Sequence, residues 1–79
     1  MVTIHRALGL RVVIFVDDHE PAHVHVFGDG EAKINLAGAG GEPDLVWAVG
    51  MKRGELRRAM SLVKEYRLEF AASWRRIHG

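Results

Sequence analysis

Seventy-nine residues with no cysteine leave room for one hydrophobic core and exclude disulfides, thiolate chemistry and a second lobe. At 48% hydrophobic, 27% charged and a formal net charge of +1, the composition is that of an ordinary globular chain and argues neither for nor against an acidic partner. A single domain over residues 1–79 is expected, burying roughly 60% of the surface that its unfolded chain exposes.

Val2-Thr3-Ile4-His5 alternates as a short strand, and Ala7-Leu8-Gly9 supplies a turn. Leu10 to Val16 is β-branched and aromatic and apolar on both faces, which suits a central place in a sheet. It is too short to span a membrane, acids follow it, and no small-residue cleavage site is present. A cytoplasmic protein with no membrane association is therefore expected.

The stretch Asp17-Asp18-His19-Glu20-Pro21-Ala22-His23-Val24-His25-Val26 concentrates three of the five histidines and three carboxylates in one bend and the strand after it. His23 and His25 sit two apart in an alternating segment that runs to Phe27, so they leave the same face with Cα atoms roughly 7 Å apart. Two imidazoles at that spacing can converge on one ion, and histidine is also the side chain that titrates near neutral pH. A divalent metal needs at least a third ligand, for which His19, Asp17, Asp18 and Glu20 lie just before the strand, and the expected metal set is Asp18, His19, His23 and His25. Acid-base chemistry would use His23, His25 and Glu20. An exposed sheet face decorated with histidines beside a charged turn gives the same pattern without any chemistry. Pro21 biases Glu20 toward an extended conformation, so the acidic bend is expected to be stiff.

Gly28-Asp29-Gly30 is a hairpin turn into Glu31–Leu36, where Ala32, Ile34 and Leu36 share one face and Lys33 and Asn35 the other. Gly38 to Pro43 reads as a flexible connection, and Asp44 to Val49 as a last strand containing Trp47. The glycines at 38, 40 and 41 are no phosphate loop, since no Gly-Lys-Ser/Thr follows and a strand comes where a helix is required.

From about Arg53 to Ile77 the period becomes helical: Leu56, Ala59, Met60, Val63, Tyr66, Phe70, Trp74 and Ile77 recur at spacings of three and four. Arg67 falls in the middle of that stripe, where its stem packs while the guanidinium reaches water, or where it forms a buried ion pair with Asp17, Asp18 or Glu20. A continuous helix of about 25 residues is roughly 37 Å long, against about 30 Å for a compact domain of this size. Its end, with Trp74 and Ile77, is therefore expected to project and to meet a partner or a second copy of the chain. The helix opens with Lys52, Arg53, Arg57 and Arg58 and has no capping side chain. Arg53, Arg57 and Arg58 are either a solvated basic surface or an anion and nucleic-acid contact.

Taken together, Thr3-Ile4-x-Arg6, Gly9 and its strand, the signature Asp18-His19-x-Pro21-x-His23-Val24-His25-Val26, and Glu55-Leu56 opening a final helix that contains Trp74 resemble the domain of unknown function 4160 family of small bacterial proteins. Val2 stands where members commonly carry proline, Ala22 where many carry a second proline, and Lys52 where a serine would cap the helix. The resemblance implies a gene context like that of toxin–antitoxin modules. It points to a partner-binding, toxin-like protein whose His23/His25 site supports metal binding or RNA hydrolysis. The competing reading is a non-catalytic protein-binding module, an antitoxin or adaptor. A cupin-like metal site using Glu31 and Gly38 has the wrong His-to-Glu spacing and needs a longer chain.

The expected fold is α+β: an antiparallel, meander-like sheet of four to five strands with one long C-terminal helix on one face. Val24, Val26, Ile34 and Leu36 are expected to face the helix, and His23 and His25, with Lys33 and Asn35, the other side. The one cofactor implied is a divalent metal. The expected partners are a small protein or a second copy of the chain, with RNA in the hydrolase reading.

Overall fold

In the computed structural model, which describes residues 1–79 apart from the side chain of Ala39, the alternating segments pair in the order in which they occur. Strands β1 (Val2–Ala7), β2 (Leu10–Ile14), β3 (His23–Phe27), β4 (Glu31–Asn35) and β5 (Asp44–Val49) form one antiparallel sheet of order β1-β2-β3-β4-β5. Short connections dictate this meander, because only antiparallel neighbours can be joined by a few residues. Leu8 and Gly9 turn β1 into β2 at φ 57° and 74°, the pair of positive angles whose twist matches that of the flanking strands. At the β3–β4 hairpin, a Cβ on Gly30 would overlap the Val49 carbonyl oxygen and lie 2.6 Å from that of Gly50. Only glycine lets the end of β5 close against this turn.

Directly paired residues leave a sheet on the same side, so the register sorts the two faces. His5, Val12, Val26, Ala32 and Ala48 form one row, and Thr3, Val13, His25, Lys33 and Trp47 the next, on the opposite face. Val12, Ile14, Val24, Val26, Ile34 and Leu36 build the core with Ala59, Leu62, Val63, Phe70 and Trp74. The expected division of the sheet holds: Val24, Val26, Ile34 and Leu36 meet the helices, and His23 and His25 stand opposite, paired with Asn35 and Lys33. Val13 emerges on the histidine face, fully buried beside His25. β2 stops at Ile14, two residues before the expected end, because Phe15 to Asp18 closes a turn.

The single long helix is corrected to two, α1 (Arg53–Glu65) and α2 (Arg67–His78). They join at Tyr66, whose φ of −106° and ψ of 19° leave the helical region. Tyr66 N–H closes the last turn of α1 on the Leu62 carbonyl, and the Tyr66 carbonyl accepts the Phe70 N–H that opens α2, so one residue ends the first helix and begins the second. His5 receives Tyr66 and Phe70 at ring-centroid distances of 4.5 and 5.5 Å, which seats both helices on β1. The bend keeps the longest dimension at 34 Å, and Trp74, expected at a projecting end, is 3% exposed within its own chain. Ile77 likewise packs half-buried against the core. Neither helix is long and apolar enough to cross a membrane.

Arg67 forms no buried ion pair among the described residues: half-buried, it donates to the Gly41 carbonyl. The helix bend carries it toward the loop before β5 instead of the acidic bend. At the start of α1, Lys52 caps nothing, and Glu55 is buried with its Oε2 accepting the Asp29 N–H at 2.9 Å. That bond ties the β3–β4 hairpin to the first turn of the helix.

Candidate metal centre

The turn after β2 places the carboxylate. Asp18 N–H donates to the Phe15 carbonyl at 3.0 Å, and Asp18 Oδ2 accepts the Phe15 N–H at 3.2 Å, a reciprocal pair that holds the side chain over the end of β3. The bend that follows contains a cis Glu20–Pro21 peptide. Its Pro21 carbonyl accepts the His23 Nδ1–H at 2.9 Å. His25 Nδ1–H donates in the same way to Glu31 Oε2 at 3.0 Å. A carbonyl and a carboxylate only accept, so each ring carries its proton on Nδ1 and turns Nε2 inward. Both Nε2 atoms meet Asp18 Oδ2, at 3.1 Å from His23 and 3.7 Å from His25.

That inner contact is unusual chemically. His23 Nε2 is buried and makes no aligned hydrogen bond, although it lies 3.1 Å from the carboxylate oxygen. A nitrogen lone pair facing a carboxylate oxygen repels it unless a cation, a proton or a metal ion, sits between them. One ligand atom each from Asp18, His23 and His25 lies within 4.8 Å of the others. The distances of 3.1 and 3.7 Å straddle the ~3.4 Å edge of a tetrahedron with bonds of about 2.05 Å to a central ion. The two Nδ1 hydrogen bonds are of the kind that fix ring orientation and raise basicity in metal-bound histidines.

Aromatic side chains close the site. The rings of His23 and His25 are 5.3 Å apart, Phe15 presents its edge to His25 at 4.7 Å, and Trp47 stands 6.0 Å away on the open side. Trp74 reaches His23 from α2 at 5.1 Å, and His78 lies against the indole at 3.9 Å with its ring tilted by 32°. His23 is 3% and His25 9% exposed as a result.

Of the residues singled out in the sequence, Asp18, His23 and His25 come together. His19 is exposed and outside the group. Glu20 is also exposed, and its Oε1 accepts the Trp74 indole N–H at 3.3 Å, so it anchors α2 and does not touch the imidazoles. Arg53, Arg57 and Arg58 are exposed on α1, in the layer behind the sheet. Trp74 escaped the sequence reading of this site, and Glu31 entered it only as a cupin-like ligand set aside for its spacing. Glu31 was within reach of it, since the hairpin register places Glu31 diagonally across from His25. Trp74 lies 54 residues from Glu20, and only the bend at Tyr66 brings it there.

A family model described as "Domain of unknown function (DUF4160)" matches residues 9–75. No curated protein and no solved structure matches the chain.

Proposed function

The chain belongs to the DUF4160 family, and we propose that it is a metal-binding protein in which Asp18, His23 and His25 hold one divalent transition ion. One observation carries this reading: both imidazoles have Nδ1 committed to an acceptor and Nε2 aimed at the same carboxylate oxygen, one of those nitrogens being buried without a partner. Two imidazoles and one carboxylate suit zinc, and also iron(II), cobalt(II) or nickel(II). An ion there would neutralise Asp18 and replace the two repulsive contacts at its Oδ2 with bonds from all three side chains. What such an ion supplies when bound is a fixed point charge and a Lewis acid beside Trp47 and Phe15. The chain's own part is to orient the rings through Pro21 and Glu31 and to exclude water through Trp74 and Phe15.

Burial argues for an ion and against direct acid-base attack on RNA at these rings. His23 Nε2 is closed to solvent, and a general base has to come within about 3 Å of the proton it removes. Metal content after purification without chelator, followed by calorimetric titration of the metal-free protein with zinc, tests the proposal. One equivalent is expected, lost in His23→Ala and His25→Ala and retained in His19→Ala. A protein that takes up no ion, or in which His19→Ala alone abolishes uptake, refutes it.

A further inference from the structure

The sheet face left open by the helices carries a second cluster beside the histidines. Arg6 and Arg11 are register partners on β1 and β2, and Arg11 pairs in turn with Phe27 on β3, so the three side chains stand in one row on that face. Like charges set directly opposite each other repel. Among the described residues neither guanidinium has a carboxylate within salt-bridge distance. The Arg11 guanidinium lies over the Phe27 ring, 5.2 Å from its centroid. A groove of about 620 Å³ opens here, lined by these three residues with Leu10, Gly9 and Gly28. In the neighbouring row Lys33 pairs with Trp47, which is 38% exposed. The acidic neighbour in the first row is Glu31, and its carboxylate is engaged by His25.

We infer that this face binds single-stranded nucleic acid, with a backbone phosphate between Arg6 and Arg11 and bases on the Arg11–Phe27 platform and on Trp47. Two guanidiniums without a carboxylate partner line the same groove, which makes it a site for an anion with several acceptor oxygens, and a phosphate meets their fork geometry in bidentate fashion. The anion also relieves the repulsion between them. Flat rings beside the cations select a ligand that has π-faces as well as charge, which an acidic peptide lacks. Phe27 and Trp47, one row and two strands apart, are about 12 Å from each other by sheet geometry. Lys33 lies between them to follow the backbone. Arg53, Arg57 and Arg58 are on the other layer and do not contribute, and the inference does not depend on the metal.

The test is fluorescence anisotropy of a labelled oligouridylate, with intrinsic tryptophan quenching read in parallel. Three cations imply a log–log salt slope near −2, so affinity is expected to fall about 20-fold between 50 and 200 mM salt. Arg6→Ala and Arg11→Ala each flatten that slope by about 0.7. Trp47→Ala weakens binding by about fivefold or more. Unchanged circular dichroism shows that these surface variants remain folded. Four results overturn the inference: no binding to the oligonucleotide; equal binding to polyglutamate or to a duplex; affinity that survives Arg6→Ala and Arg11→Ala but is lost in the Arg53/Arg57/Arg58 triple alanine variant; or uridine monophosphate binding as tightly as the strand.

Discussion

Replacing Asp18 by asparagine distinguishes an ion-binding centre from a buried ion pair made with a protonated histidine. Asp18 Oδ2 is the one atom that meets the Phe15 N–H, His23 Nε2 and His25 Nε2. Asparagine can keep the first with its oxygen, or turn its amide N–H to His23 Nε2, each worth about 1 kcal/mol. It also removes the charge that faces two lone pairs, so the metal-free variant is expected within about 1 kcal/mol of the parent protein. With metal at about 100 times its dissociation constant, the parent gains about 2.7 kcal/mol. For a chain of this size that is a rise of about 11–22 °C in melting temperature, and Asp18→Asn should show little of it. Thermal melts in chelator and in zinc supply both numbers. An ion pair behaves differently: Asp18→Asn would lose about 1.5–3 kcal/mol in chelator, the worth of a hydrogen bond to a charged group, and zinc would move neither protein. That outcome would refute the metal assignment.

Gly30→Ala is expected to cost about 1–3 kcal/mol, toward the upper end because the added carbon meets backbone of β5 and not a movable side chain; a urea midpoint equal to that of the parent would contradict the packing of this hairpin. Leu8→Asn should stabilise by about 1 kcal/mol, since Leu8 is exposed and held at φ 57°, where a branched side chain costs about 1–2 kcal/mol and asparagine far less. The check is a raised urea midpoint at unchanged m-value.

The sheet was legible because its signals are local. Alternation in His23–Phe27 and Glu31–Leu36, separated by Gly28-Asp29-Gly30, specifies a hairpin, its register and therefore which side chains share a face. The same reasoning put the acidic bend near the two imidazoles but did not separate Asp18 from His19 and Glu20, which the structure leaves outside the group. The break at Tyr66 was not legible. Residues 64–68 contain no glycine or proline, and the apolar stripe continues through them at helical spacing. What marks the break is tertiary contact: Tyr66 and Phe70, on either side of it, both pack on His5 of β1. Two expectations failed with it, the projecting end and the Arg67 ion pair. The Arg6–Arg11–Phe27 row was hidden for a related reason: its members come from three strands and become neighbours only through pairing.

The position of Trp74 has a consequence for biosynthesis. The three side chains proposed to hold the ion lie within eight consecutive residues, whereas the indole that roofs His23 belongs to α2. A growing polypeptide thus contains the three proposed ligands before the residue that shuts them in has been added. On the proposed reading, enclosure of His23 therefore waits on the docking of α2.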